Sequence, residues 1–169
     1  YYYTPMRLFL LGYQPFVVNG TLTPQTSTFR YILNASTTKR VAYSVAAPTS
    51  YYNLTVDNAS ERLTIADNLS TAGNFTITSG SFDVGFGNLG ITCSGNWTNS
   101  GTFRPRVGTV TFDGAGTQTL NNGSSSFYNI IHSGAGTLQL STNNLTATGT
   151  LVNSAGTWNS NGRAVTATG

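Results

Sequence analysis

A long internal repeat is the strongest constraint on how this chain can fold. The segment SYYNLTVDNASERLTI, which begins at Ser50, returns in altered form as SFYNIIHSGAGTLQL from Ser126, 76 positions later. The match continues at the same spacing, because Phe82 corresponds to Trp158. Self-similarity at a fixed period is typical of architectures assembled from stacked repeats. The chain is therefore expected to hold about two copies of a 76-residue unit.

Each copy contains a shorter rhythm of brief runs in which apolar and polar residues alternate. Leu54–Val56 and Leu138–Leu140 are examples, with apolar residues two positions apart. That period is typical of a strand with one buried face. Gly, Asn, Asp and Ser separate the runs every 6–12 positions, as turns require. The residues predicted to form the core are Leu54, Val56, Leu63, Ile65, Phe75, Ile77, Phe82, Val110, Phe112, Leu138, Leu140, Leu151 and Trp158.

Two architectures accommodate short strands with frequent turns. In a β-solenoid the chain coils, and each strand stacks in parallel on the strand one coil earlier. In an antiparallel β-sandwich two sheets pack face to face. The fixed period, the short strands and the return of Asn, Thr, Gly and aliphatic residues at equivalent places favour the solenoid. We predict an all-β parallel β-helix of about seven or eight coils, each of roughly 20–25 residues. A pilin-like antiparallel sandwich with a donated N-terminal strand is the alternative.

The composition limits the partners of the chain. Only 8% of the residues are charged, against about 25% in an average soluble domain. The eight Lys and Arg residues give a net charge of +3 and are scattered, without the dense basic stripe that nucleic-acid binding needs. The longest apolar stretch, near Met6–Gly12, is shorter than the roughly 20 residues of a transmembrane helix. We therefore predict no nucleic-acid partner and no membrane span in this chain.

The acidic residues do not suggest a catalytic site. They are Asp57, Glu61, Asp67, Asp83 and Asp113. Sugar hydrolysis needs two carboxylates about 5–9 Å apart. The one dense group, in DNASERLTIAD, contains Arg62 and has no acidic counterpart in the second copy, so we interpret it as a solvated turn with local ion pairing. The chain is predicted to have no catalytic residue and not to be an enzyme.

Metal ligands are equally sparse. Cys93 is the single cysteine and sits at an apolar alternating position, which predicts a buried thiol and excludes an internal disulfide. His132 is the single histidine and falls opposite Val56 in the repeat, without a second His or Cys to complete a transition-metal site. Calcium at the turn Asp113–Gly116 is a weaker alternative, because the regular Asp of calcium-binding solenoid repeats is missing. We predict no metal and no cofactor.

Asn-x-Ser/Thr triplets, the acceptors of N-linked sugars, are abundant. They begin at Asn19, Asn34, Asn53, Asn58, Asn68, Asn74, Asn96, Asn122 and Asn144. Asparagine is also the expected residue in turns, so many of the triplets have a purely structural explanation. Asn34, Asn58 and Asn122 lie in turn-like contexts and are the predicted sites of covalent glycans.

One stretch of the chain resembles a known group of proteins. GTVTFDGAGTQTLNNGSSSFYNIIHSGAGTLQLSTNNLTATGTLVNSAGTW, from Gly108 to Trp158, is similar to repeats of very large secreted surface proteins of bacteria and archaea. Those repeats read roughly G-T-V-T-F-x-G-x-G-T-Q-T, then F-Y-N-L-x-I, then L-T-V-x-G-x-L. The likeness covers about Ser50 to Gly169 and is weak before Phe29. It implies a right-handed parallel β-helix of adhesin or autotransporter type, with an extracellular structural or adhesive role.

The N-terminal segment, residues 1–16, lies outside the repeat, while residues 17–169 are predicted to form a single solenoid domain. The segment is apolar, aromatic and interrupted by Pro5 and Pro15. It is expected either to cap its own solenoid or to dock as a strand on a neighbouring copy. In the second case the contact residues are Tyr1, Tyr2, Tyr3, Leu8, Phe9, Leu10 and Leu11.

These observations together predict a non-enzymatic extracellular structural protein. Open terminal coils invite head-to-tail stacking, which builds a filament, sheath or surface appendage from copies of the same chain. The alternative is an adhesin module that binds surface glycans, with an aromatic ladder for sugar stacking. The candidates for that ladder are Tyr51, Tyr52, Phe127 and Tyr128.

Overall fold

The structure, a computed structural model, describes residues 23, 25–32, 43–45 and 50–169; for 43–45, 60 and 61 it gives the backbone alone. Within these ranges every regular element is a β-strand. In chain order the strands are β1 (Thr28–Ile32), β2 (Tyr43–Val45), β3 (Ser50–Tyr51), β4 (Asn53–Ile65), β5 (Leu69–Thr71), β6 (Phe75–Asp83), β7 (Gly90–Cys93), β8 (Trp97–Asn99), β9 (Thr102–Arg104), β10 (Thr109–Phe112), β11 (Gln118–Asn121), β12 (Asn129–His132), β13 (Thr137–Leu140), β14 (Leu145–Ala147), β15 (Leu151–Asn153), β16 (Thr157–Asn159) and β17 (Val165–Ala167).

The strands form three walls, which the chain visits in the same order in each turn. The first wall stacks β1, the first halves of β4 and β6, then β8, β11, β13 and β16. The second wall contains β2, the second halves of β4 and β6, and β9, followed along the axis by Phe127, β14 and β17. The third wall stacks β3, β5, β7, β10, β12 and β15.

All pairs between the described strands are parallel, so this part of the chain is a β-solenoid of about six turns. The predicted fold class is confirmed, and the seven or eight predicted coils are close to the observed number. Parallel pairing is the reverse of what a sandwich requires, so the antiparallel alternative is wrong.

The number of residues per turn differs from one turn to another. On the first wall, 25 residues separate Phe29 from Leu54 one turn later, whereas 20 residues separate Leu138 from Trp158. Each strand pairs with the strand one turn away, which lies about 4.8 Å along the axis.

Inward side chains of successive turns stack in columns. Phe75 lies over Leu54 and under Trp97, with 4.3 Å between the Phe75 and Trp97 ring centroids and an angle of 23° between their planes. Phe103 and Phe127 flank this column, 5.0 and 5.4 Å from Trp97. A buried side chain of this size contributes about 1.5–3 kcal/mol. Because neighbouring turns provide the cover, stability depends on contacts between adjacent turns.

The predicted core residues occupy these inward columns. Eleven of them are buried: Leu54, Val56, Leu63, Ile65, Phe75, Ile77, Phe82, Val110, Phe112, Leu138 and Leu140. The other two, Leu151 and Trp158, belong to the last turn, where they are partly buried and pack against the core.

Asparagines connect successive turns at the corner before the first wall. Oδ1 of Asn53 accepts a hydrogen bond from the backbone N–H of Asn74 (2.7 Å), and Oδ1 of Asn74 accepts one from the N–H of Asn96 (2.9 Å). Oδ1 of Asn96 in turn accepts one from the N–H of Thr119 (2.8 Å). Corners leave backbone donors that strand pairing does not satisfy. The uncharged amide satisfies them, which explains the recurrence of Asn in a chain with so few charges.

A buried glutamine fills the same corner two turns above Asn74. Nε2 of Gln118 donates to the carbonyl oxygens of Cys93 (2.9 Å) and Gly95 (2.6 Å) in the turn before, and its Oε1 accepts from the N–H of Gly114 (2.8 Å). The side chain thereby supplies hydrogen-bond partners to three backbone groups of this corner. This is the physical role of Gln in the G-T-Q-T motif.

The 76-residue repeat does not correspond to a whole number of turns. Tyr51 pairs with Thr71 on the third wall, whereas its counterpart Phe127 bridges to Ala147 on the second. One repeat length therefore advances the chain by three turns and two further walls. Related segments therefore lie on different walls, so equivalent residues of the two copies do not stack in one column along the axis.

Candidate functional site

The predicted N-terminal contact residues lie outside the described part of the chain. This applies to Tyr1, Tyr2, Tyr3, Leu8, Phe9, Leu10 and Leu11, and also to the predicted glycan site Asn34.

The other two predicted glycan sites are corrected by the structure. Asn58 is fully buried and Asn122 is 3% exposed. Nδ2 of Asn122, the atom that would carry the sugar, donates to the carbonyl oxygens of Ser125 (3.0 Å) and Asn144 (3.1 Å). Neither amide is open to a glycan in the folded chain, because both point into the solenoid.

Among the triplets that the structure describes, the exposed ones are not those predicted to carry glycans. They begin at Asn68, Asn74 and Asn144. Each of these asparagines directly precedes an inward apolar residue, as Asn74 precedes Phe75. Since neighbouring side chains of a strand point to opposite faces, this position places the amide outside. That signal was available in the sequence.

The aromatic ladder proposed for sugar stacking is also corrected. Tyr51 and Phe127 are both fully buried, with the Tyr51 hydroxyl 2.8 Å from that of Tyr31. Tyr52 and Tyr128, the next residues along the chain, are only half-buried. The alternation that places one aromatic residue of each pair inside prevents the four from forming one continuous outer surface.

The thiol and the imidazole both lie inside the solenoid. Cys93 is fully buried, and burial raises the pKa of its thiol. His132 is fully buried as well, with Nδ1 2.6 Å from Oδ1 of Asn153, while its Nε2 is buried without a hydrogen-bond partner. Among the described residues no three His, Cys, Asp or Glu side chains come together as a metal ion would require. Asp113, considered above for calcium, accepts a hydrogen bond from Oγ of Ser94 (2.7 Å).

The last turn presents a row of strands that are paired on one side. β15, β16 and β17 pair with β12, β13 and β14, and no other described strand lies beyond them. Val152 is 44% exposed and Val165 is 38% exposed. Trp158 is only partly buried, whereas Leu138, its neighbour one turn earlier, is fully buried. The N–H and C=O groups on the other side of these strands can pair with a further strand. We call β15, β16 and β17 the C-terminal edge.

A buried carboxylate lies where the second wall meets the third. Nε and Nη2 of Arg106 donate to Oδ1 and Oδ2 of Asp83 at 2.9 and 2.7 Å, and the N–H of Gly85 donates to Oδ1 at 2.8 Å. Nη1 of Arg62 lies 3.5 Å from Oδ2. The two-point contact with Arg106 fixes the corner formed by two successive turns.

The environment of Asp83 acts on its pKa in opposite directions. Burial alone would raise the pKa of the carboxyl group, but the hydrogen bonds from Arg106 and Gly85 and the charges of both arginines outweigh it, so the pKa is lowered. A lowered pKa in the folded state means that ionised Asp83 adds stability above its unfolded pKa of about 3.9. That contribution is lost as the pH falls through the folded pKa.

Replacing Asp83 by Asn is expected to lower the free energy of unfolding by about 2–3 kcal/mol at pH 7, because Arg106 loses its charged partner. Urea denaturation measures the loss. The difference from wild type should shrink as the pH falls from about 5 to about 2, since the wild-type carboxylate is then protonated. Asp57→Asn, which breaks the more exposed ion pair with Arg30, is the control and should cost less than about 1 kcal/mol. Equal losses in the two variants would contradict the structural role of Asp83.

No family model, curated protein or solved structure matches this chain. Nor does any helix long and apolar enough to cross a membrane occur in the part of the chain that the structure describes. The likeness to repeats of secreted surface proteins therefore stays a prediction.

Proposed function

We propose that the chain is a non-enzymatic extracellular structural protein, whose copies stack head to tail into a filament, sheath or surface appendage. The observation that carries the proposal is the parallel solenoid itself, in which each turn pairs with its neighbours and covers their apolar side chains. The C-terminal edge, with one strand from each wall, is the surface on which a second copy is proposed to stack. The strands of that copy would pair by the same parallel geometry that holds the turns together.

The side chains of the C-terminal edge support this assignment. Leu151, Val152, Trp158 and Val165 continue the walls of the preceding turn and remain partly or substantially exposed. Another turn placed over them would bury this apolar surface, at about 25 cal/mol for each Å² removed from water. The few charges on the chain offer little electrostatic opposition to stacking. A heterologous contact of this kind propagates into an open filament unless it closes a ring.

Electron microscopy and fibre diffraction of the purified protein test the proposal. Filaments with a strand spacing of about 4.8 Å along their axis are expected, because the strands of every copy would lie across that axis. The double variant Val152→Lys, Val165→Lys should remain monomeric, since lysines on an edge strand oppose further pairing.

The matched control is Thr111→Lys. Thr111 lies on the outer face of the third wall, in the same column as Val152 but two turns inside the solenoid. The Thr111→Lys variant should assemble as wild type does. Monomeric wild-type protein, or filaments that the edge variant forms equally well, would contradict head-to-tail stacking through this edge.

A further inference from the structure

An exposed aromatic ring stands on the loop between β6 and β7. Phe86 is 89% exposed, more than any other large apolar side chain in the described ranges. Both ends of its loop are anchored, since Val84 is buried and Leu89 packs against the core. The N–H of Gly85 is also bound to Asp83, as described above. The loop that carries the ring is therefore fixed at both ends, and the ring projects from it into solvent.

One face of this ring is covered by a cation. Cζ of Arg106 lies 4.8 Å from the centroid of the Phe86 ring, within the range of a cation–π contact. Arg106 is held in place because its Nε and Nη2 donate to Asp83. The high exposure of Phe86 leaves the opposite face of the ring open to solvent.

Positive charge exceeds negative charge around Asp83, the residue that holds Arg106 against the ring. Arg62 and Arg106 share the carboxylate of Asp83, and Arg104 lies beside Asp83 in register on β9. Asp67 is the acid at the same corner one turn earlier. Arg104 is exposed and forms no ion pair with any residue that the structure describes. Its guanidinium is thus available to an anionic partner.

We propose that Phe86, Arg104 and Arg106 form a binding site for a polysaccharide that carries carboxylate groups. The C–H groups on one face of a sugar ring are weakly positive and meet the negative face of an aromatic ring. Arg104 then binds a uronate carboxylate through paired N–H donors. Phe86 projects from a loop, not from an open strand edge, so the site suits a stiff sugar chain better than an added peptide strand.

Titration calorimetry with oligogalacturonate, and with neutral galactan oligosaccharides of the same length, tests the proposal. The uronate should bind, and the neutral sugar should bind at least about tenfold more weakly. Phe86→Ala and Arg104→Gln should each weaken uronate binding about tenfold, and Arg104→Gln should also reduce the dependence of affinity on salt. Arg163→Gln removes an exposed arginine of the last turn and should leave the affinity unchanged.

Both replaced side chains are exposed, so the variants should melt at the wild-type temperature, which separates loss of binding from loss of fold. The proposal is overturned by equal affinity for the two sugars, by an unchanged affinity in Phe86→Ala, or by no uronate binding up to about 1 mM. Polyglutamate bound as tightly as oligogalacturonate would assign the surface to anions in general and overturn the sugar assignment.

Discussion

A Phe75→Asp variant is expected not to form a complete solenoid. Phe75 is fully buried between Leu54 of the preceding turn and Trp97 of the following one, and its ring centroid lies 5.0 Å from that of Phe82. The substitution removes contacts with both neighbouring turns and places a carboxylate without a partner among them. Each effect costs several kcal/mol, against a total stability of about 5–15 kcal/mol for a domain. Circular dichroism should show loss of strand signal, and thermal unfolding should lose its cooperative transition.

Thr78→Asp is the control for this variant. Thr78 lies on the same strand, β6, and its side chain is exposed. The same charge placed there should change the free energy of unfolding by no more than about 0.5 kcal/mol. If Phe75→Asp melted as wild type does, the inward position of Phe75 would be wrong.

The inward residues could be predicted from the sequence because the period of a strand does not depend on its partner. Leu63 and Ile65 face the interior whichever strand lies beside them, since alternate side chains of any strand point to opposite faces. The same reasoning led to Val110 and Phe112 on another wall. The alternation of apolar and polar residues is therefore enough to predict the core, whichever strands pair with one another.

The relation between the repeat and the turns could not be predicted, because a segment of this type fits any wall. Asn53 and its counterpart Asn129 perform the same task at different corners. Oδ1 of Asn129 accepts from the N–H of Thr150 (2.9 Å), and its Nδ2 donates to Oγ1 of Thr109 (3.3 Å). Nδ2 of Asn53 likewise donates to Oγ1 of Thr28 in the previous turn (3.2 Å). The same hydrogen-bonding requirement at different corners therefore accounts for the similar sequence of two segments that lie on different walls.

The candidate sites were less accessible to sequence reasoning because they depend on contacts between distant residues. Asp83 and Arg106 are 23 positions apart, and only the stacking of two turns brings them together. Asn122, in the polar run NNGSS, has the composition of an outer turn, yet its amide points inward to carbonyl groups. Inward and outward asparagines both satisfy backbone groups at corners, so residue type alone does not distinguish them.

Gly136→Ala is expected to separate the last turns of the solenoid. A Cβ on Gly136 would overlap the carbonyl group of Gly116 in the turn before, and backbone atoms cannot rotate away as a side chain does. Relief requires the turns to move apart, which weakens the hydrogen bonds from the N–H of Gly136 to Gly114 (3.2 Å) and from the N–H of Thr157 to Gly136 (2.9 Å). The expected loss in the free energy of unfolding is about 3 kcal/mol or more. Hydrogen exchange should accelerate most in β15, β16 and β17, because each turn is stabilised by its contacts with the neighbouring turns.

Gly116→Ala provides the matched comparison at the same corner, one turn earlier. Apart from the glycine and its two chain neighbours, no atom lies within 4 Å of the place where its Cβ would stand, and its φ is outside the left-handed region. Alanine there restricts the unfolded chain without disturbing the folded one, so the free energy of unfolding should be unchanged or raised by up to about 1 kcal/mol. Equal destabilisation by the two substitutions would mean that glycine supplies conformational freedom at this corner. A loss confined to Gly136→Ala would instead show that the backbones of successive turns meet there and leave no room for a side chain.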